Sequence, residues 1–268
     1  MSKKPSASAR RSAPASRARA TPVAAKGHPV PPVYRYGLQL FTVFAVAMLV
    51  AFWPSYYSRL ASQDSIHPHT HGLTMTLWVV LLIGQAWLIR RGDRATHRTV
   101  GLLSYVAVPA LVVAAINFLH YRVAEVPELN ESALFFVTLV LGALASFLVL
   151  FGLAMWYRKQ PALHSRFMIA TLFPLFTPVT DRLIGRYAPS LIVPLPVITG
   201  FPVVQTTGFL LADAILLTLS VWDWKTNNRR VFPIALGVLL AYHAAVMTFH
   251  NFGFWHTFST WLVSVPLS

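Results

Sequence analysis

The segment HPHTHGLTMTLWVVLLIGQAWLI, residues 67–89, decides the fold. From residue 71 to residue 89 it carries no charged side chain, and about 20 mostly apolar residues span a bilayer as an α-helix. Similar runs recur along the chain, in which 56% of the residues are hydrophobic and 11% are charged. Soluble domains carry about 25% charged residues. The sequence therefore predicts an all-α, polytopic membrane helix bundle.

Seven segments have the length and polarity of transmembrane helices. They cover residues 37–53, 71–89, 99–119, 132–157, 165–184, 202–222 and 231–250. The fifth is interrupted by Pro174 and Pro178. The proline-rich stretch 187–201 is predicted to be a loop on or dipping into the membrane interface. Trp255 and Trp261 predict a short final segment at the aromatic belt.

The basic residues are distributed unevenly between the two sides of this arrangement. Eighteen of the 22 Lys and Arg residues fall on the side of the N-terminus, and the other side has four: Arg59, Arg122, Arg182 and Arg186. By the positive-inside rule the N-terminus lies inside and the C-terminus outside. The net charge of +14 is then topogenic and lipid-facing, and no nucleic-acid partner is predicted.

Two regions divide the chain. Residues 1–35 are rich in Ser, Ala, Pro, Lys and Arg and lack acidic residues, a composition that predicts a disordered basic cytoplasmic tail attracted to anionic lipid headgroups. An organelle transit peptide is the alternative for this tail. Residues 36–268 form the predicted seven-helix transmembrane domain.

The chain has no cysteine, which excludes disulfides, thiolate metal sites, iron–sulfur clusters and covalently attached c-type haem. Histidine therefore leads the candidate ligands. His67, His69 and His71 would point the same way in an extended segment, whereas His67 and His71 share a face in a helix. The sequence predicts a metal site from histidines near one face of the membrane, which are His67, His69, His71, His120 and His250, with Asp181 as a further candidate ligand. The alternative is a solvated polar loop.

Polar residues inside the spans form a second set of candidates. His71, Trp78 and Gln85 are spaced by seven, so they form one stripe that should face the protein interior. Asp213 and His243 lie on consecutive antiparallel spans at matching depth, where a carboxylate–imidazole pair offsets the cost of intramembrane charge. We predict a proton relay or a shell of residues around the cofactor from Asp213, His243, Asp181 and Gln85. A protonated Asp213 that hydrogen-bonds to a neighbouring helix is the alternative.

One pattern of polar and glycine residues resembles a known family. It comprises His71-Gly72, Trp78, Gln85, Gly92, His97-Arg98 and Gly101, followed by Leu163-His164-Ser165-Arg166. In these residues the chain resembles a family of uncharacterised bacterial multi-pass inner-membrane proteins. The resemblance covers roughly spans two to five, and it implies a multi-pass protein of the bacterial inner membrane without an established activity.

Two other resemblances carry functional expectations. The chain is weakly similar to bis-histidine b-type membrane cytochromes, which implies an outer haem b on His71 with His120 or His250 and an inner haem b on His97 and His164. Span four has no histidine, and this departs from that family. A likeness to seven-span zinc hydrolases is weaker, because His243 and His250 are too far apart along one helix for a single zinc ion.

Three functions follow as hypotheses. The first is a membrane protein that binds a divalent metal (Zn, Cu or Fe) or haem b at a histidine-rich outer site in a redox role. The second is a proton-linked transporter that uses intramembrane Asp and His, and the third is a non-catalytic assembly or scaffold protein. The sequence contains no nucleophile elbow, phosphate loop or paired catalytic carboxylates, so enzymatic activity stays undecided.

Overall fold

The computed structural model describes residues 36–63, 65–124, 126, 129–192, 197–198, 201–202, 204–227 and 229–265. The fold is all-α, apart from one antiparallel pair of two-residue strands, Val197–Ile198 and Phe201–Pro202. Its ten α-helices in the described residues are α1 (Gly37–Phe52), α2 (Ile66–Arg90), α3 (Arg94–Gly101), α4 (Ser104–Ala124), α5 (Glu131–Trp156), α6 (Pro161–Ala170), α7 (Phe176–Tyr187), α8 (Gln205–Asn227), α9 (Val231–Thr248) and α10 (Gly253–Ser264).

Six helical segments of the described chain are long and apolar enough to cross a membrane. They are Ile66–Arg90, Arg94–Ala124, Glu131–Trp156, Pro161–Tyr187, Gln205–Thr226 and Val231–Asn251. The architecture is that of a multi-pass helical membrane protein. The remaining predicted span, residues 37–53, corresponds to α1, which is apolar but has only 16 residues. At 1.5 Å per residue it is about 24 Å long, less than the hydrocarbon core of about 30 Å. The predicted tail, residues 1–35, lies outside the described residues.

Two of the six segments are broken helices. Pro161–Tyr187 consists of α6 and α7 around a 3₁₀ turn, Phe173–Leu175, and the break falls at Pro174, which has no N–H for the helical ladder. The segment Arg94–Ala124 consists of α3 and α4, which was not predicted. The helices that cross the membrane therefore include two with a local change of direction.

The histidine-rich segment is helical, so the extended alternative for residues 67–71 is wrong. Helix α2 begins at Ile66, and the hydroxyl of Ser65 accepts a hydrogen bond from the N–H of His67 at 3.3 Å. Pro68 falls in the first helical turn, where a missing N–H breaks no intrahelical bond. His67 and His71 consequently share one face of α2.

The long helices run alternately up and down and define two ends of the bundle. The basic end contains the end of α2, the start of α3, the end of α5, the start of α6, the end of α8 and the start of α9. The histidine end contains the start of α2 and the ends of α4, α7 and α9. Helix α2 packs between α1 and α4, α7 packs between α1 and α8, and α9 packs against α5, α6 and α8. Trp78 and Phe232 are fully buried in two separate apolar cores.

Arg166 departs from the topogenic, lipid-facing role predicted for the basic residues. Its guanidinium is buried and makes two hydrogen bonds to Asp223, at 2.7 and 2.6 Å. The side chains are 3% and 0% exposed. Because an unpaired charge is costly in a membrane interior, the positive charge of Arg166 is balanced inside the protein. This pair ties α6 to α8 at the basic end.

Candidate functional site

A carboxylate and an imidazole meet in the interface between α8 and α9. The Nδ1 atom of His243 lies 3.1 Å from Oδ2 of Asp213, and the two side chains are 8% and 19% exposed. Asp213 follows Gln205, at the start of α8, by eight residues, so it lies about 12 Å along the helix. The structure thus brings together the two residues that the sequence placed at matching depth. An Nδ1–H donating to the carboxylate fixes the orientation of the imidazole.

The polar atoms on the far sides of this pair lack protein partners. Among the described residues, Oδ1 of Asp213, Nε2 of His243 and the hydroxyl of Tyr242 are buried without a hydrogen bond. The ring of Phe209 stacks on His243 with 3.9 Å between centroids. Leaving a buried polar group unpaired costs about 1–3 kcal/mol, and proteins usually satisfy such groups with water or a ligand. The pair is therefore suited to exchanging protons with a small polar species.

Helix α7 brings a second carboxylate to the same region. Asp181 lies within electrostatic range of Tyr242, the amide of Gln205 can hydrogen-bond to Asp181, and Oδ1 of Asp181 is buried without a partner. We call these residues, with Asp213 and His243, the polar cluster. It contains two carboxyl groups, an imidazole and a phenol, and such groups bind and release protons. Polar residues of this kind within a membrane bundle are commonly functional.

Close helix packing holds Tyr242 in the polar cluster. The Tyr242 ring lies directly against Gly142 of α5, where a Cβ atom would collide with the ring. Phe209 contacts the same ring edge-on at 5.6 Å between centroids. A glycine at position 142 is thus required for α5 and α9 to approach this closely.

The three histidines that precede span two are separated by aromatic stacking. His67 stacks on Tyr121 at 5.0 Å between centroids, and His71 stacks on Phe118 at 4.7 Å. His69 lies edge-on to Tyr56 at 6.0 Å. The Nδ1 atom of His71 is buried without a partner among the described residues. Each imidazole therefore has its own aromatic neighbour, and the structure does not bring the three rings together as one ligand set.

The remaining two histidines of the predicted metal site, His120 and His250, differ in their hydrogen bonding. Nε2 of His120 lies 3.0 Å from the carbonyl oxygen of Val263, so it donates its proton to α10. The Nδ1 atom of His250 is buried without a partner. Within the described part of the chain, no group of three or more His, Asp or Glu side chains is arranged to hold a metal ion.

At the basic end, Gln85 bonds to both ends of the last turn of α3, directly before the break between α3 and α4. In the amide orientation that satisfies its neighbours, Gln85 donates to Nδ1 and to the carbonyl oxygen of His97, at 2.5 and 3.1 Å, and accepts from the N–H of Gly101 at 3.2 Å. In an unbroken α-helix, the carbonyl oxygen of His97 would accept a hydrogen bond from the N–H of Gly101. A side chain inserted into the helical ladder is a known cause of a kink. Gln85 therefore acts as a structural wedge.

This geometry bears on the inner haem that the cytochrome resemblance implies. His164 donates from Nδ1 to the carbonyl of Ala154 at 2.9 Å, which leaves Nε2 free to act as a ligand, and His97 lies within electrostatic range of it. In neutral His97, however, Nδ1 accepts a hydrogen bond from Gln85, so the proton sits on Nε2. An axial ligand needs a lone pair at Nε2. His97 in this arrangement does not fit the role.

Sequence analysis also missed the Arg166–Asp223 ion pair. A signal for it was present, because opposite charges lie near the basic ends of the fifth and sixth predicted spans. Both carboxylate oxygens of Asp223 accept a hydrogen bond from Arg166, and Arg166 also donates to the carbonyl of Ala162 at 2.7 Å. The matched charges and hydrogen bonds indicate a structural role.

Comparisons with protein-family models, with curated proteins and with solved structures give no match to this chain.

Proposed function

We propose that this protein is a proton-linked membrane transporter in which the Asp213–His243 pair binds the transported proton. The supporting observation is the buried hydrogen bond between these side chains, together with the unpartnered Oδ1 and Nε2 atoms on their far sides. If every polar atom of the pair had a hydrogen-bond partner, the pair would only join two helices. The unpartnered Oδ1 and Nε2 atoms are instead available to bind and release a proton.

Protonation changes the charge of the pair by one unit. Neutral His243 with ionised Asp213 carries one negative charge, and a proton added at Nε2 of His243 makes the pair neutral overall. A charge at the bilayer centre costs about 2.5–3.5 kcal/mol on insertion scales, so proton binding shifts the balance between helix arrangements by a comparable amount. The broken segment α6–α7 packs beside α8, and discontinuous helices of this kind form the moving parts and substrate sites of many transporters.

The proposal includes the full topology predicted from the sequence. Helix α1 crosses the membrane as a seventh span, the N-terminus is inside and the C-terminus outside. The excess of basic residues at the basic end supports this orientation. The protein resides in the bacterial inner membrane, as the resemblance of its polar and glycine pattern implies, and its basic tail contacts anionic headgroups. Helix α1 is apolar but shorter than the hydrocarbon core, and local thinning of the bilayer accommodates a short helix.

A pH step applied to proteoliposomes on a solid-supported membrane tests the proton site without a known substrate. Proton entry into a buried site displaces charge, so the wild-type protein should give a transient current at each pH step. Asp213→Asn retains the shape and a hydrogen-bonding group but removes the negative charge that stabilises protonated His243 inside the membrane, so this variant should lose the transient. Thr218→Val is the matched control, because Thr218 is an exposed residue of α8 that bonds only to its own helix.

The outcomes of the pH step separate the proposal from the scaffold hypothesis. A transient that Asp213→Asn removes and Thr218→Val retains supports proton binding at the pair. A wild-type protein without a transient, or one whose transient survives in Asp213→Asn, contradicts the proposal. In a scaffold protein, Asp213→Asn would lower the stability, and neither the wild-type protein nor the variant would give a transient current.

The cofactor hypothesis requires a separate measurement. The free Nε2 atom of His164 is the observation that favours it, and an ultraviolet–visible spectrum with metal analysis of purified protein tests it. A Soret band, or stoichiometric metal, that is lost in His71→Ala or His164→Ala would support a redox role. A colourless, metal-free, folded sample would exclude that hypothesis and leave the transport proposal standing.

A further inference from the structure

A basic groove lies at the histidine end between α1 and α7. Its lining residues are Ala51, Pro54 and Ser55 from the end of α1, with Arg182, Gly185 and Arg186 from α7, and its volume is about 430 Å³. Two arginines one helical turn apart point into the same space. The groove is separate from the polar cluster, although Arg182 follows Asp181 in sequence.

The Arg182 guanidinium is held in place by uncharged groups. Its Nη1 donates to the carbonyl oxygen of Pro178 at 2.9 Å, and its Cζ atom lies 4.3 Å from the centroid of the Phe52 ring. No carboxylate of the described residues lies within salt-bridge distance of Arg182 or Arg186. A positioned guanidinium with remaining N–H donors matches the oxygens of a phosphate group. The positive charge of the groove is therefore suited to an anionic partner.

An apolar groove lies beside the basic one on the adjacent face of α1. It is lined by Leu49, Val50 and Trp53 with Tyr187 of α7, and its volume is about 260 Å³. Trp53 and Tyr187 are exposed, at 58% and 61%, and aromatic residues of this kind sit at the level of lipid headgroups. Leu49 and Val50 are also exposed and lie deeper along α1, where an acyl chain can cover them.

We propose that these two grooves together bind one anionic phospholipid. Its phosphate lies between Arg182 and Arg186, and its first acyl-chain segments lie against Trp53, Val50 and Leu49. A soluble anion would use the arginines but would leave the apolar groove uncovered. The combination of a positively charged groove and an adjoining exposed apolar groove therefore favours a lipid. This inference goes beyond the proposed transport function and does not depend on it.

Quenching of Trp53 by brominated lipids tests the proposal. The chain has eight tryptophans, so the Trp53 signal is taken as the difference between wild type and Trp53→Phe. In phosphatidylcholine nanodiscs, a small fraction of dibromo-phosphatidylglycerol should quench this signal more than the same fraction of dibromo-phosphatidylcholine. Two arginines near the surface should give a preference of about 30-fold, which corresponds to about 2 kcal/mol.

Charge-removal variants and a soluble competitor complete the experiment. Arg182→Gln/Arg186→Gln should abolish the preference for the anionic lipid. Arg158→Gln/Arg229→Gln, which removes two exposed arginines at the basic end, should retain it. Equal quenching by both brominated lipids in the wild-type protein overturns the proposal. Loss of the preference on adding millimolar inorganic phosphate or glycerophosphoglycerol at constant ionic strength also overturns it, because the site would then bind a soluble anion.

Discussion

Two buried carboxylates in α8 differ in how completely their oxygens are satisfied. Both oxygens of Asp223 accept hydrogen bonds from Arg166. Asp213 uses one oxygen for His243, and its other oxygen has no partner among the described residues. A buried oxygen without a hydrogen bond costs free energy. Such an oxygen therefore favours a functional role for the residue that carries it. At the residue scale this difference indicates a structural role for Asp223 and supports the proton-binding role that we propose for Asp213.

Breaking the Arg166–Asp223 pair from one side should destabilise the protein strongly. Arg166→Met removes the guanidinium that donates to both carboxylate oxygens of buried Asp223, and removal of one partner of a buried pair typically costs about 3–5 kcal/mol. Arg166→Met/Asp223→Leu removes both charges and should recover most of that loss. The measurement is the free energy of unfolding in mixed micelles over a denaturing-detergent series.

Exposed Lys225 at the same end of α8 supplies the control for this cycle. Lys225→Gln should change the free energy of unfolding by less than about 0.5 kcal/mol, as is usual for surface substitutions. An Arg166→Met protein as stable as wild type would show that the pair does not hold α6 to α8.

The helices begin, break and pack at positions set by individual side chains. Helix α3 begins at the side-chain cap of Asp93, which accepts a hydrogen bond from the N–H of Thr96 at 3.0 Å. It ends at Gly101, whose N–H donates to the side chain of Gln85. At the element scale, polar residues between the apolar runs thus determine where the helices start and change direction.

The cap of α3 should weaken in acid. Hydrogen bonds from the side chain and the backbone N–H of Thr96 hold the pKa of Asp93 below its ordinary value of 3.8. The ionised cap therefore stabilises α3 fully at pH values above the pKa of Asp93 in the unfolded chain, and this contribution is lost as the pH falls through the lowered pKa. Hydrogen exchange of α3, corrected for intrinsic rates, measures the effect.

Two substitutions bracket this pH dependence. Asp93→Asn retains a capping side chain that does not titrate, so its α3 protection should lack the acid-dependent loss that protonation of Asp93 causes. Asp93→Ala lacks the cap at every pH. Wild-type α3 should behave like Asp93→Asn at neutral pH and like Asp93→Ala in strong acid. Wild-type protection that is independent of pH down to about pH 2, below the ordinary range of Asp, would contradict the assignment.

The contact between α5 and α9 should be sensitive to a single methyl group. In Gly142→Ala the new Cβ would collide with the Tyr242 ring, and overpacking of this kind costs about 1–3 kcal/mol. Gly152→Ala is the matched control in the same helix, because a Cβ at that position would meet nothing within 4 Å. Alanine is the better helix former by about 1 kcal/mol, so Gly152→Ala should be neutral or stabilising. Thermal unfolding in detergent compares the two, and equal melting temperatures would refute the close contact.

The sequence predicted the apolar helices better than the use of their polar residues. Long uncharged runs leave no alternative to helices in a bilayer, and the proline in span five marked the break at Pro174. Spacing also brought Asp213 and His243 to the same depth. It could not show that His67 and His71 stack on separate aromatic rings, because the neighbours at a helix end depend on how distant segments pack. The role of Gln85 as a wedge was hidden for the same reason.

At the scale of the whole molecule, the open question of topology is whether α1 crosses the membrane. Its 16 residues reach about 24 Å, against about 30 Å for the hydrocarbon core. The helix nevertheless packs along both α2 and α7, and those segments qualify as membrane spans. If α1 crosses the membrane, residues 1–35 lie on the same side as the basic end. That side then carries eighteen basic residues rather than ten, which strengthens the positive-inside bias.

Single-cysteine labelling distinguishes seven spans from six, and the absence of native cysteines makes the background clean. Ser62→Cys and Ser264→Cys, both exposed at the histidine end, should react with a membrane-impermeant maleimide in intact cells. Lys225→Cys at the basic end should react only after the membrane is permeabilised.

Ser2→Cys decides whether α1 crosses the membrane. If α1 is a seventh span, Ser2→Cys should react only after permeabilisation, as Lys225→Cys does, because the two residues then lie on the inner side. If Ser2→Cys instead reacts in intact cells together with Ser62→Cys, α1 does not cross, and the tail cannot be the cytoplasmic lipid-binding segment we propose. Reaction of Lys225→Cys alone in intact cells would reverse the orientation of the whole bundle.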